Sequence, residues 1–459
     1  MDFHKTTIER FLYPLMEFKK GNRTRVYIAS MQESQHWPRE ALTALRREKL
    51  RTLLLTCVQD VPAYQQYKDY TGMIEDDPFD ALSRFPILEK NKLRESAETY
   101  VNPKMPRESL IANCSGGSTS VPVQFYIDRP TVENFEAARW RGLSWYGITP
   151  GSRCVMLWGQ ALELNAGAQK REAIKEKWLK NRIMIPAYGM NLQSMPRYLQ
   201  TIRRFKPEYI YGYASVLFSF ADWMLQKNET IGFPLKCVVS TAETLHDYQR
   251  EAVGKAFGYN GSNARVVNEY GAKDGGILAY ECPCGQMHIS AENVVLEVVD
   301  PVTREPLPIG EAGVLLVTDL NNRVMPRLRY CIGDRLALSD AVCECGVTLP
   351  VVEALDGRED DMFLSLDGKL IHGHAFNYIS RRMNVVRKFQ IVQHSPASAT
   401  LRIVRDPNAS DAALEDMVAE MRKLLPGSNF TVTYVSDIPA THSGKFRYAI
   451  RDFDLTEYK

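Results

Sequence analysis

Between Cys114 and about Tyr270, short apolar runs suited to strands alternate with stretches of helical spacing, a pattern that a largely parallel sheet covered on both faces can bury. Strand-like runs fall at 153–158, 182–187, 208–213, 236–239 and 265–268, and helical ones at 215–227 and 245–257. The first hundred residues read as helices and connections, with helical spacing over 39–58. From His288 to Leu338 the pattern changes to strands and turns, at 294–299 and 313–318, punctuated by Pro301, Pro306, Pro308 and Gly310. A boundary falls near Gly357-Arg358-Glu359-Asp360-Asp361. Beyond it lies a compact α+β unit whose clearest element is a helix over 410–425 with Leu414, Met417, Val418, Met421, Leu424 and Leu425 on one stripe.

At 459 residues the chain is too long for one compact domain. Lys+Arg 57 against Asp+Glu 55 forces no basic face of the kind that grips nucleic-acid phosphates, so no nucleic-acid partner is expected. No run approaches the length needed to span a bilayer, and Met1-Asp2-Phe3-His4-Lys5 lacks the apolar core of a signal peptide, so a soluble, cytoplasmic protein without membrane contact is expected. In that setting the nine cysteines are reduced thiols or metal ligands before they are disulfides. Cys57, Cys114, Cys154 and Cys237 stand singly among apolar residues and read as small buried hydrophobes.

Three loops suit nucleotide chemistry. Ser115-Gly116-Gly117-Ser118-Thr119-Ser120-Val121-Pro122 lies between two β-like segments, with the glycines and hydroxyls a backbone needs to fold around phosphate oxygens, although such clusters also make ordinary surface turns. Asn268-Glu269-Tyr270-Gly271-Ala272-Lys273-Asp274 leaves a strand for a glycine-rich turn, where open α/β sheets present ligand groups, and Asp274 offers hard oxygens to magnesium or a solvated partner to Lys273. Asp334, after Gly333, can accept both hydroxyls of a ribose or cap its own strand. Near the C-terminus, Thr441-His442-Ser443-Gly444-Lys445 puts a lysine on a glycine-hinged loop after a strand-like run at 429–435. Trp158, Tyr188, Tyr211, Tyr213 and Phe218 can face a sheet-end pocket or fill the core. Two Cys-x-Cys knuckles, Cys282/Cys284 and Cys343/Cys345, with His288 beside the first, supply five candidates for a four-ligand structural zinc site.

In their order along the chain these motifs resemble those of adenylate-forming enzymes, the acyl-CoA synthetase superfamily, in its phenylacetate-CoA ligase and CapK-like branch. The resemblance implies an α/β fold: a large N-terminal adenylating domain, 1–357, of mostly parallel sheets flanked by helices with a β-rich subdomain over about 286–357, and a small mobile α+β C-terminal domain, 358–459. It implies that Ser115, Gly117, Ser118, Thr119, Ala242, Glu243, Asn268, Glu269, Tyr270, Gly271, Asp334 and Arg358 bind the nucleotide and that Asp360 is the hinge. Lys445 matches the catalytic lysine. Asp274 stands where the family has a magnesium-binding glutamate, Lys273 where it has threonine, and Ser120 where glycine is usual. Trp158, Tyr211 and Tyr213 are the expected substrate pocket. Among the zinc candidates the resemblance favours Cys282, His288, Cys343 and Cys345, with Cys284 in reserve. The implied activity is ATP- and Mg2+-dependent conversion of a carboxylic acid, aryl by the pocket's composition, to an acyl adenylate and then a coenzyme A thioester, releasing pyrophosphate and AMP. A carrier-protein thiol, an amine or a nitrite-type oxyanion remains open in place of these partners, as do a non-catalytic ATP-binding role in polysaccharide biosynthesis and a homodimer.

Overall fold

The computed structural model describes residues 3–115, 123–158, 166–187, 190–358, 362–383, 385–439 and 446–453. The N-terminal quarter is helical. Its longest helix, Arg39–Asp60, buries Leu42, Leu50, Leu53, Leu54, Cys57 and Val58, a stripe at three- and four-residue spacing that faces the core. A hairpin follows, β1 (Ile111–Cys114) and β2 (Gln124–Ile127), antiparallel to one another. The helix Arg129–Ser144 then starts with Asp128, whose carboxylate accepts the Thr131 N–H at 2.9 Å, and with proline in its first turn.

Eleven strands form one sheet: β3 (Cys154–Trp158), β4 (Arg182–Pro186), β5 (Tyr209–Tyr213), β6 (Cys237–Thr241), β7 (Val266–Ala272), β8 (Gly276–Glu281), β9 (Met287–Ile289), β10 (Val294–Val299), β11 (Gly313–Asp319), β12 (Tyr330–Ser339) and β13 (Val351–Arg358). Their order is β10-β11-β12-β13-β9-β8-β7-β6-β5-β3-β4. From β4 to β7 all pairs are parallel, and from β7 to β10 all are antiparallel. β5 and β6 are buried at every position, as strands covered on both faces must be. The change of direction follows β7 at Gly276, where φ is +79° and a Cβ would stand 2.2 Å from the Phe135 ring, so only glycine fits.

The stretch expected as a β-rich subdomain is therefore hydrogen-bonded into the main sheet, since β9 pairs with both β8 and β13. The C-terminal unit is built apart from that sheet. It has a short hairpin, β14 (Met362–Leu364) with β15 (Leu370–His372), and a four-stranded sheet in the order β18-β17-β16-β19, from β16 (Val386–Ser395), β17 (Ser398–Arg405), β18 (Asn429–Tyr434) and β19 (Ala449–Arg451). The helices His374–Met383 and Asp411–Leu424 cover it, the second capped by Ser410 and packing Leu414, Met417, Val418 and Met421 into the core with Phe389, Ile391 and Leu401. Among the described residues no helix is long and apolar enough to cross a membrane.

Candidate active site

The carboxyl ends of β5, β6 and β7 lie side by side, the edge at which open parallel sheets collect ligands. At the end of β6, Ala242 has φ +65°, a left-handed conformation that costs a non-glycine residue about 1 kcal/mol or more and marks a constrained turn. The next residue fixes that turn. Glu243 Oε2 accepts the Ser215 N–H at 2.8 Å, placing a carboxylate on the N-terminus of the helix Ala214–Gln226, where the helix dipole favours it.

The motif leaving β7 is tied to β12. Tyr270 Oη donates to Asp334 Oδ2 at 2.9 Å, and Tyr330 Oη donates to Asp274 Oδ2 at 3.0 Å. Arg327 Nη2 donates to the Asp274 carbonyl at 3.0 Å while its guanidinium lies 4.5 Å from the Phe125 ring centroid. Burial, and then the charge of Asp274, push the Tyr330 phenol far above its ordinary pKa, so it stays a donor. Asp334 and Arg358 are register partners across β12 and β13, so these two expected nucleotide residues share one place in the sheet. The Asn268 N–H donates to Glu281 Oε2 at 2.6 Å, and Arg250 clamps the same carboxylate.

Ser115 closes the base of its loop, its N–H donating to the Val123 carbonyl and its Oγ accepting the Val123 N–H, each at 2.9 Å. Gly117, Ser118, Thr119, Tyr188, Asp360 and Lys445 lie outside the described residues. The chain just beyond Lys445 is described: Tyr448 Oη is 3.5 Å from His246 Nε2, three residues past Glu243. The C-terminal unit thus touches the main domain beside the Ser240–Glu243 turn.

The expected substrate pocket holds more charge than its aromatic residues suggest. Trp158 lies against Tyr213, with ring centroids 4.3 Å apart, and against Tyr211 at 5.8 Å. Tyr211 Oη donates to Glu269 Oε1 at 2.5 Å, Thr241 Oγ1 to the same oxygen at 3.2 Å, and Arg139 Nε to Glu269 Oε2 at 3.2 Å. Glu269, expected at the nucleotide, is bonded to Tyr211, Thr241 and Arg139. Arg139 went unforeseen, as did the bonds of Thr241 to Glu269 and of Tyr330 to Asp274. Only the acidic residue inside the Tyr-Gly motif gave a signal, because a buried carboxylate needs a cation and a lone one cannot be matched to its partner by spacing.

The knuckles meet as expected. Ligand atoms of Cys282, His288, Cys343 and Cys345 all lie within 4.8 Å of one another, with Cys282 Sγ 3.6 Å from Cys343 Sγ and Cys345 Sγ 3.2 Å from His288 Nε2. Such separations suit the edges of a tetrahedron about a zinc ion with ligand bonds of about 2.0–2.3 Å. His288 Nδ1 is 3.0 Å from the Leu349 carbonyl, which holds its proton on that nitrogen and leaves Nε2 to face the thiols. Burial lowers the His288 pKa, keeping the ring neutral as a ligand must be. Cys284 is exposed and its side chain meets Cys343, but the four favoured residues bring their ligand atoms together without it.

Known proteins agree with this architecture. A family model described as the CapK C-terminal domain matches residues 363–452. The chain is 24% identical over 387 residues to Protein CapK of Staphylococcus aureus, covering 81% of this chain and 80% of that one. It is 29% identical over 350 residues to a phenylacetate-coenzyme A ligase of Thermus thermophilus, covering 72% and 74%. A crystal structure of 2-hydroxyisobutyryl-CoA ligase in the postadenylation state has the same fold, with TM-score 0.67 at 21% identity over 93% of each chain. The chain is thus similar over 72–81% of its length to Protein CapK and to a phenylacetate-coenzyme A ligase, and its residues 363–452 match the CapK C-terminal domain.

Proposed function

We propose that the chain is an AMP-forming acid–thiol ligase. The carboxylate of an acid attacks the α-phosphorus of ATP, forming a carboxyl–phosphate bond and releasing pyrophosphate; a thiol, coenzyme A in this reading, then attacks the acyl carbon and releases AMP. The observation that carries it is the bond from Tyr270 to Asp334, which joins the Tyr-Gly motif to the ribose-type aspartate at the edge where the Glu243 turn also ends. The relationship to phenylacetate-coenzyme A ligases, which extends over about three quarters of their length, supports the same chemistry.

In this reading Asp334 and Arg358 hold the ribose side, the 240–243 turn lines the base, and the 115–122 loop closes on phosphates. Asp274, whose carboxylate is steadied by Tyr330, would hold magnesium, an ion that neutralises the triphosphate charge. Lys445 stabilises the charge that grows as two anions meet, a contribution on the order of hundredfold or more. The units 1–357 and 358–459 then act as two domains hinged at Asp360. Rotation would withdraw Lys445 after adenylation and open a path for the thiol. Zinc held by Cys282, His288, Cys343 and Cys345 would be structural, since four protein ligands leave no open position.

Pyrophosphate release from magnesium ATP over a panel of carboxylic acids, with and without coenzyme A, tests the reading. Acid-dependent release that falls at least hundredfold in Lys445→Ala is expected, with coenzyme A needed for AMP turnover. Acid-dependent release unchanged in the variant, or none with any acid, overturns it.

A further inference from the structure

We propose that the acid activated here carries a hydrogen-bond donor on its acyl chain, a hydroxyl or an ammonium group, and that Glu269 is the residue that reads it. This rests on the adenylation reading above and names its substrate class. The aromatic residues expected to make an apolar pocket surround a carboxylate instead: Tyr211 turns its hydroxyl to Glu269, and Trp158 packs on Tyr211 and Tyr213. The Glu269 side chain is 1% exposed, and a charge so buried is kept only where donors surround it.

Those donors are unevenly shared. Among the described residues Oε1 receives Tyr211, Thr241 and both Nε and Nη2 of Arg139, whereas Oε2 receives only the shared Arg139 Nε, at 3.2 Å. Oε2 therefore has acceptor capacity left, and a carboxylate oxygen readily takes two or more donors. Arg139 is divided between Glu269 and Glu136, its Nη1 donating to Glu136 Oε1 at 2.9 Å, so the cluster of two carboxylates and one guanidinium is net negative. A net negative group repels an anionic tail and accepts donors.

A second buried polar group is carried on the neighbouring strand. Tyr280 is the register partner of Glu269 across β7 and β8, is 1% exposed, and its hydroxyl has no hydrogen-bond partner among the described residues. An unmade bond at a buried hydroxyl costs about 1–3 kcal/mol, and a hydroxyl or ammonium placed between Tyr280 and Glu269 would satisfy both. The ammonium bonds to Glu269 by charge and the hydroxyl by donating its proton while accepting from Tyr280, so the two donors are separable by assay. A tail with neither leaves both protein groups unmatched, the condition under which sites built on hydrogen bonds reject an analogue most strongly.

The test compares matched acids on the full-length enzyme: phenylacetate against 4-hydroxyphenylacetate and 4-(aminomethyl)phenylacetate, and butyrate against 4-hydroxybutyrate and 4-aminobutyrate, by pyrophosphate release with magnesium ATP. A hydroxyl- or amino-bearing member should exceed its bare partner by about 100-fold or more in kcat/KM. Arg139→Met/Glu269→Leu should reverse that order, and Glu269→Gln, which keeps the shape and an acceptor oxygen, should retain turnover of hydroxy acids while losing that of amino acids at least tenfold. Wild-type turnover of a bare acid as fast as its polar partners overturns the inference and leaves adenylation standing. Silence with every acid sinks the adenylation reading, and this one with it.

Discussion

Arg141→Met should be among the most damaging single changes available in the main domain, and the reason is local. Arg141 is 1% exposed and Glu292 4%; Arg141 Nη1 donates to Glu292 Oε1 at 2.6 Å, and Ser34 Oγ donates to the same oxygen at 2.7 Å. Removing the guanidinium leaves a carboxylate buried without its cation, a loss of about 3–5 kcal/mol in comparable sites. Arg46 and Lys49 stand near enough to feel Glu292, which argues for the lower end, about 3 kcal/mol. Replacing both partners, Arg141→Met/Glu292→Met, removes the stranded charge and should return stability to within about 1 kcal/mol of wild type. Urea unfolding of the four proteins in the cycle, followed by tryptophan fluorescence and circular dichroism together, measures the coupling. A loss below about 1 kcal/mol for Arg141→Met, or a double variant no better than the single, refutes the argument. The pH dependence gives a second check. Burial raises the Glu292 pKa, but Arg141 and the Ser34 bond outweigh it and the net shift is downward. A depressed carboxylate contributes stability above its unfolded value of about 4.3 and loses it as pH falls through the folded value. The stability of wild type relative to the doubly apolar protein should therefore stay constant from neutrality down and fall only below about pH 4.

Purified protein should carry one zinc ion per chain by elemental analysis; Cys343→Ser or His288→Ala should lose most of it, and Cys284→Ser should keep it. Loss in Cys284→Ser would mean that the exposed thiol is a ligand after all. Tyr270→Phe deletes the donor to Asp334 and should raise KM for ATP roughly tenfold with kcat changed less than threefold, as expected for a bond that positions the ribose group; an unchanged KM refutes a nucleotide role for the pair.

The parallel half of the sheet was legible because its strands are short, mostly apolar runs, Cys154–Trp158 for example, separated by helices long enough to cross over. The cysteine site was legible because short Cys-x-Cys spacing and a nearby histidine are local in sequence. The joining of the two halves was not, since it depends on Met287 and His288 pairing with Val352 and Val351, and a three-residue strand carries no periodic signal. Arg139 was hidden for a related reason. It lies 130 residues from Glu269, on a helix with arginines also at 129 and 141, and only the packing of that helix decides which of them faces the pocket. Glycine decides that packing: a Cβ at Gly142 would stand 2.2 Å from Tyr280 Cγ, so the helix approaches β8 as closely as it does only because the side chain is missing.

These contacts place the metal cluster and the proposed acyl pocket on one structural line. The His288 ring meets Trp145 edge-on at 5.6 Å, Trp145 meets Tyr280 at 6.1 Å, and Tyr280 is the partner of Glu269 across the ladder. Trp145 is itself held by its Nε1–H, which donates to Gln35 Oε1 at 2.8 Å. Adjacency alone does not establish coupling, so the expectation must be energetic. Loss of zinc should loosen the His288 ring and, through Trp145, the position of Tyr280, raising KM for the acid severalfold while KM for ATP stays within twofold. A cycle combining Cys345→Ser with Tyr280→Phe, read as KM for the acid, should then show a coupling of about 0.5–2 kcal/mol. Additivity within about 0.5 kcal/mol would mean that the metal only pins the turn after β8 to the segment after β12, and that the pocket is shaped by the Gly142 contact and the Arg141–Glu292 pair alone.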